Sequence, residues 1–252
     1  MKEEEKRMKR LALVMTVSLF CVFVTMAQAK IHYAQNFDNL KEGEADGQDG
    51  WAVGPPANIP STTITSEVKH GPTGMSMKAD PVQVVIRDFN PIIRGGIHFL
   101  SLWFRYELQN VTDDKLFIYI GEEIREWAGG PVCYVGGNNT DPNKVTVYNG
   151  PDPVPVGENI KVGEWQHFFE VMDVDNQTYS VYVDDVLVAE NFGWRNPGNH
   201  NGLGWLMLGF DRGKGGTIGY YDDIVFGEGD TLPSSVEPGD KLAATWGRLK
   251  KE

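Results

Sequence analysis

Thirteen short runs rich in Val, Ile, Thr and aromatic residues follow one another between residues 31 and 226, and nearly every gap between them holds Gly, Pro, Asn or Asp. No stretch in that interval carries a convincing 3.6-residue apolar period, so helices are not expected there. Many short strands with turn punctuation and no helical signal specify an all-β fold, a two-sheet antiparallel sandwich or a barrel. Alternation along the runs gives an inside and an outside. In "TYSVYVDD" the residues Tyr179, Val181 and Val183 share one face and read as core. In "IHFLSLWFRYEL" the core face is Leu100, Leu102 and Phe104, and the other face carries Phe99, Ser101, Trp103 and Arg105. A face that mixes large aromatics with Arg and Ser is either a ligand surface or a sheet face covered by loops.

The two ends differ from this middle. "MKEEEKRMKR" is a charged head, Leu11–Met26 an apolar run of 16 residues, and "AQA" a small-residue cleavage site, together the pattern of a signal peptide over residues 1–29 cut after Ala29. The run is short for a membrane span, so no stable membrane insertion is expected after cleavage. Residues 229–252 read as a polar Pro/Gly/Ser linker and a short tail, with Leu242, Trp246 and Leu249 on one side of a possible helix that could meet a protein partner. The 23 basic and 35 acidic residues lose five and three with the leader, leaving 18 against 32 and a net charge of −14. That field repels nucleic acid and anionic lipid and suits a secreted, extracellular, periplasmic or cell-surface protein. One cysteine, Cys133, remains, so neither an internal disulfide nor a CxxC metal pair is available.

"TIGYYDDIVF" poses a sharper problem. Counting alternate residues puts Asp222 on the face of Ile224 and Phe226, which is the core face. A carboxylate there must be hydrogen-bonded, protonated or bound to a cation.

Three segments, "NFDNLKEGEADGQDGW" (36–51), "GEWQHFFEVMDVDNQTYSVYVDDVLV" (163–188) and "YYDDIVF" (220–226), resemble in order the first strand and turn, the central hairpin and the closing strand of concanavalin A-like (laminin G-like) jelly rolls of secreted bacterial proteins. The resemblance implies a domain over residues 30–228 and a structural calcium held by Asp38 and Asp222, which would answer the Asp222 question. It implies no ligand, because this fold hosts lectins, hydrolases, lyases and structural modules.

Catalytic signatures are missing. The E-x-D-x-x-E strand motif of the family 16 glycoside hydrolases does not occur, and Glu170 and Asp173, three apart, fall on opposite faces of a strand. The five histidines are scattered, with no HExxH and no G-x-S-x-G. Carbohydrate binding without chemistry is the leading expectation. Sugars stack on aromatic rings and bond to Arg, Asn and Asp, and Trp103, Arg105, Trp127, Tyr148, Trp194 and Arg195 are the residues expected to do this. The alternatives are a polysaccharide hydrolase or lyase with an unfamiliar active site, and a cell-surface structural protein.

Overall fold

The computed structural model describes residues 30–54, 60–71, 74–107, 115–122, 129–136, 143–197, 202–210 and 217–231. Residues 1–29, the expected signal peptide, together with Trp127 and the tail from residue 232, lie outside the described residues. Among those described there are sixteen strands and no helix. They are β1 (Ile31–Gln35), β2 (Gly43–Glu44), β3 (Trp51–Val53), β4 (Thr63–Thr65), β5 (Ser76–Ala79), β6 (Val84–Ile93), β7 (Ile97–Glu107), β8 (Leu116–Glu122), β9 (Val132–Val135), β10 (Val145–Asn149), β11 (Asp152–Val156), β12 (Trp165–Asp173), β13 (Thr178–Val183), β14 (Val186–Gly193), β15 (Leu203–Phe210) and β16 (Ile218–Glu228).

They form two sheets of antiparallel pairs, so the expected β-sandwich is what the chain adopts. Sheet A runs β14-β13-β12-β7-β16-β5-β4-β2, with β1 also pairing β16. Sheet B runs β11-β10-β9-β8-β15-β6-β3. The alternation read from sequence holds in β7 and β13: Leu100, Leu102, Phe104, Tyr179 and Val181 are all within 1% of full burial. Two tyrosines bolt the sheets together across the core. Tyr221 of β16 donates its hydroxyl to the Phe117 carbonyl at 2.6 Å and accepts the Gly209 N–H at 3.0 Å. Tyr179 of β13 donates to the Tyr148 carbonyl at 2.5 Å. Each buries a large ring while its polar end stays satisfied.

One polar group crosses the core with less support. Glu170 of β12 is fully buried, and the Cys133 thiol of β9 reaches its Oε1 at 3.9 Å while Oε2 has no partner among the described residues. Loss of hydration pushes Glu170 up to about 8, so it is held as the neutral acid at pH 7. Asp173 is half-buried at the end of the same strand, and the two carboxyls face opposite sides of the sheet.

β16 corrects the face assigned to Asp222. Its register on β7 pairs Asp222 with Trp103 but Val225 with Ser101, so Asp223 and Ile224 together oppose one residue. This is a β-bulge, and Asp223 takes the left-handed backbone it needs, with φ of 48°. The extra residue breaks the alternation that strand counting assumes. Ile224 and Phe226 do join the core, whereas Asp222 shares the opposite, outer face with Trp103.

Candidate functional site

The outer face of sheet A gathers a polar aromatic cluster. Cross-strand register places Asp222, Trp103 and His167 in one row and Lys78, Tyr220, Arg105 and Trp165 in the next. The 66–71 segment folds over this face and lays the His70 ring on Trp103, centroids 4.0 Å apart and nearly parallel. His70 Nδ1 meets Asp223 Oδ2 at 2.9 Å, its backbone N–H donates to Asp222 Oδ2 at 3.0 Å, and the Trp165 indole N–H donates to the Lys69 carbonyl at 3.0 Å. The expected sugar platform at Trp103 is therefore already stacked by an imidazole. Arg105, half-buried, is locked to Glu107 by a 2.6 Å bond from Nε and a 2.5 Å contact from Nη2.

Asp222 now has identified partners. Its Oδ1 accepts the Asp223 N–H at 2.8 Å and its Oδ2 the His70 N–H, both backbone donors. Burial first, then the neighbouring Asp223 charge, pushes its pKa up to about 8, and the Asp38 charge adds to the rise. Asp38 itself is exposed, its Oδ1 accepting the Met75 N–H at 2.9 Å. Gly74 lies so close beside it that a Cβ there would run into the Asp38 carboxylate. Three carboxylates thus share one neighbourhood, with the His70 ring against one of them. Among the described residues no three carboxylate, imidazole or thiol groups come close enough to hold a metal by side chains alone. A calcium here would need backbone carbonyl and water oxygens for most of its shell.

The same face brings together a Ser–His–Asp series that sequence reading missed, because its members stand 66 and 18 positions apart. Ser101 Oγ and His167 Nε2 are 2.8 Å apart, and His167 Nδ1 lies 3.3 Å from Asp185 Oδ1. Burial lowers the His167 pKa, so the ring is neutral at pH 7. Acyl transfer also needs donors aimed at the developing oxyanion. β7 is a central strand paired on both sides, which commits its amides to the ladder, and Ser101 is only 5% exposed. The series is a satisfied hydrogen-bond chain on a sheet face.

The remaining expected sugar ligands separate. Trp194 is fully enclosed in the main core, so it presents no face to a ligand and the expectation for it is corrected. Its segment is drawn inward by the Trp194 N–H bonding the Gln177 carbonyl and by the Gly150 N–H bonding the Gly193 carbonyl, both at 2.9 Å. Tyr148 and Arg195 do come together, the guanidinium 4.7 Å from the ring centroid. Both are half-buried, and Tyr148 stands on the outer face of sheet B, packed against Tyr134.

That outer face of sheet B also carries a cleft of about 610 Å³, which strand reading had not marked. Trp205, only 3% exposed, lines its base with Phe89 and Pro91 beside it, and Asp88, Asn90 and Arg94 stand exposed on its rim. Trp205 packs edge-on to Tyr119 and lies over Gly121, where any Cβ would run into the indole ring. Its indole N–H has no partner among the described residues. Phe89 is anchored from the core side by stacking on Phe226 at 4.4 Å. The signal in the sequence was the break in alternation at "RDFNPIIRGG", where polar residues and a proline interrupt an apolar strand.

No protein-family model and no curated protein matches this sequence. Similarity to solved structures is clear in fold. The chain resembles a cellulose-induced protein, Cip1, with a TM-score of 0.54 at 14% identity over 77% of this chain and 96% of that one. It resembles a sialidase at a TM-score of 0.52 and 12% identity, over 81% of this chain but 19% of the other. It also resembles a botulinum neurotoxin serotype D ligand binding domain, solved with N-acetylneuraminic acid, at a TM-score of 0.50 and 9% identity, over 84% of this chain and 51% of that one. The shared property is the β-sandwich.

Proposed function

We propose that this protein is a secreted, non-catalytic carbohydrate-binding or adhesive module of the concanavalin A-like type, with its sugar site in the cleft beside Trp205. The observation that carries this reading is the chemistry of that cleft. Its apolar floor suits the C–H face of a sugar, and its charged and amide rim suits the hydroxyls. Tyr148 and Arg195 stand on the same side of the same sheet. Two fold neighbours support the class: one is named for induction by cellulose, and the other was solved with a sialic acid.

A structural calcium at Asp38 and Asp222 belongs to the same proposal. The support is the uncompensated carboxylate pressure on Asp222, which a bound cation would relieve. The ion would supply charge to this corner and link the first-strand turn to the last strand. Comparing thermal melts in calcium and in EDTA reads this directly, and an identical midpoint counts against it.

The binding claim is tested on a panel of polysaccharides and glycans with calcium present. Saturable binding should appear, and Asp88→Ala and Arg94→Ala should each weaken it about tenfold, the worth of one hydrogen bond to a charged group. A folded sample that binds nothing on the panel would refute the reading.

A further inference from the structure

A second cavity, of about 360 Å³, opens at the side of the sandwich where the two sheets end. It lies between β14, the edge of sheet A, and β11, the edge of sheet B. Packed sheets stand about 10 Å apart, and elsewhere in this core Phe, Tyr and Trp fill that gap. Here the apolar lining is mostly valine, Val145, Val156, Val183, Val186 and Val188, joined by Ile160 and Leu187. Valine is too short to meet its opposite number, so a hollow remains.

Two further observations bear on what the hollow takes. Five large apolar residues are exposed among those described, and two of them, Val186 (62%) and Leu187 (43%), line the mouth. Three of the polar groups at the rim, Lys161, Gln166 and Asp184, meanwhile engage one another, and Glu158 and Asn159 stand exposed beside them. Asp184 Oδ2 accepts from Lys161 Nζ at 2.7 Å and from Gln166 Nε2 at 3.1 Å, and its Oδ1 accepts the His167 N–H at 3.0 Å. Gln166 Oε1 accepts the Lys161 N–H at 2.7 Å. This network holds the hairpin β13–β14 against the 157–161 loop, so the hollow is preformed. A charged ligand would lose its hydration there and find these groups already engaged.

We infer that this cavity is a binding site for a small, uncharged, apolar molecule, separate from the sugar cleft. Its volume is that of a small-molecule site, and a larger molecule would extend over Val186 and Leu187.

The test uses N-phenyl-1-naphthylamine, a neutral apolar dye whose fluorescence rises on leaving water, titrated into the purified full chain. Saturable enhancement is expected. Val188→Phe, which fills the hollow, and Val186→Glu, which sets a charge at its exposed mouth, should each weaken binding at least tenfold with the melting temperature of Val186→Glu unchanged. Absence of saturable enhancement would overturn the proposal, as would binding that neither substitution alters. Binding seen only after removal of residues 232–252 would also overturn it, by showing the chain's own tail to be the occupant.

Discussion

Glu170 is the residue whose burial should most shape the stability of this protein. It is wholly enclosed between the sheets, with one oxygen unpartnered among the described residues, and desolvation lifts its pKa from 4.5 to about 8. Between those values the folded chain keeps a proton that the unfolded chain sheds. A raised carboxyl pKa therefore gives stability that is full below the unfolded value and lost as pH rises through the folded one. Each pH unit in that window removes about 1.4 kcal/mol, so moving from pH 5 to pH 8 should cost about 3 to 4 kcal/mol through this one group. Total stability of a domain is about 5–15 kcal/mol, so the loss is substantial. Urea unfolding at pH 5 and pH 8 measures it, with Glu170→Gln and Glu170→Met as partners. Both variants lack the titrating proton, and their stability relative to wild type should rise by about 3 to 4 kcal/mol over that interval. Their offsets at pH 5 report packing and hydrogen bonding and need not agree. A wild-type-minus-variant difference that stays flat with pH in both cases would refute the placement of this carboxyl in a dry core.

The other predictions follow from single contacts. Trp194→Ala should destabilise the fold by about 3–5 kcal/mol in chemical denaturation, the cost of emptying an aromatic site in a core, whereas a sugar-contacting role at an exposed loop would leave stability nearly unchanged. Asp222→Asn should reverse its effect with the solvent. In EDTA at pH 8 the variant should melt above wild type, because the raised pKa of Asp222 penalises the charged form, and in calcium it should melt below. The same order in both buffers would remove the metal from this corner. Cys133 is buried and its thiol is pushed well above its ordinary value by desolvation, so a thiol reagent such as dithionitrobenzoate should label it only after unfolding.

Regular strands were legible because burial on one face imposes a period of two on side-chain chemistry. Leu100, Leu102 and Phe104 obeyed it, as did Tyr179 and Val181. Asp222 did not, because a single bulge residue at Asp223 inverts the faces before and after it, and nothing in a period-two pattern announces the insertion. Trp194 misled for another reason. Its neighbours Gly193, Arg195 and Asn196 have the composition of an exposed loop, yet hydrogen bonds to the Gln177 carbonyl and from the Gly150 N–H fold the segment inward. Trp103 and Arg105 were assigned the correct face, but the His70 stack on the ring depends on a loop more than 30 positions away. The Trp205 cleft arises from a break in β6 meeting a tryptophan in β15, a pairing that only the sheet order reveals. Tyr148 and Arg195 were found by residue type alone and do meet in space.

The claim at the centre of this account is that sugars are met at the cleft on sheet B. The chain has seven tryptophans, and an indole N–H gives a separate signal for each in a nitrogen–proton correlation spectrum. Titrating the panel's best oligosaccharide into labelled protein should move the Trp205 signal saturably while those of Trp103 and Trp165 stay in place. Movement of Trp103 or Trp165 with Trp205 unmoved would put the ligand on the wrong sheet and contradict it.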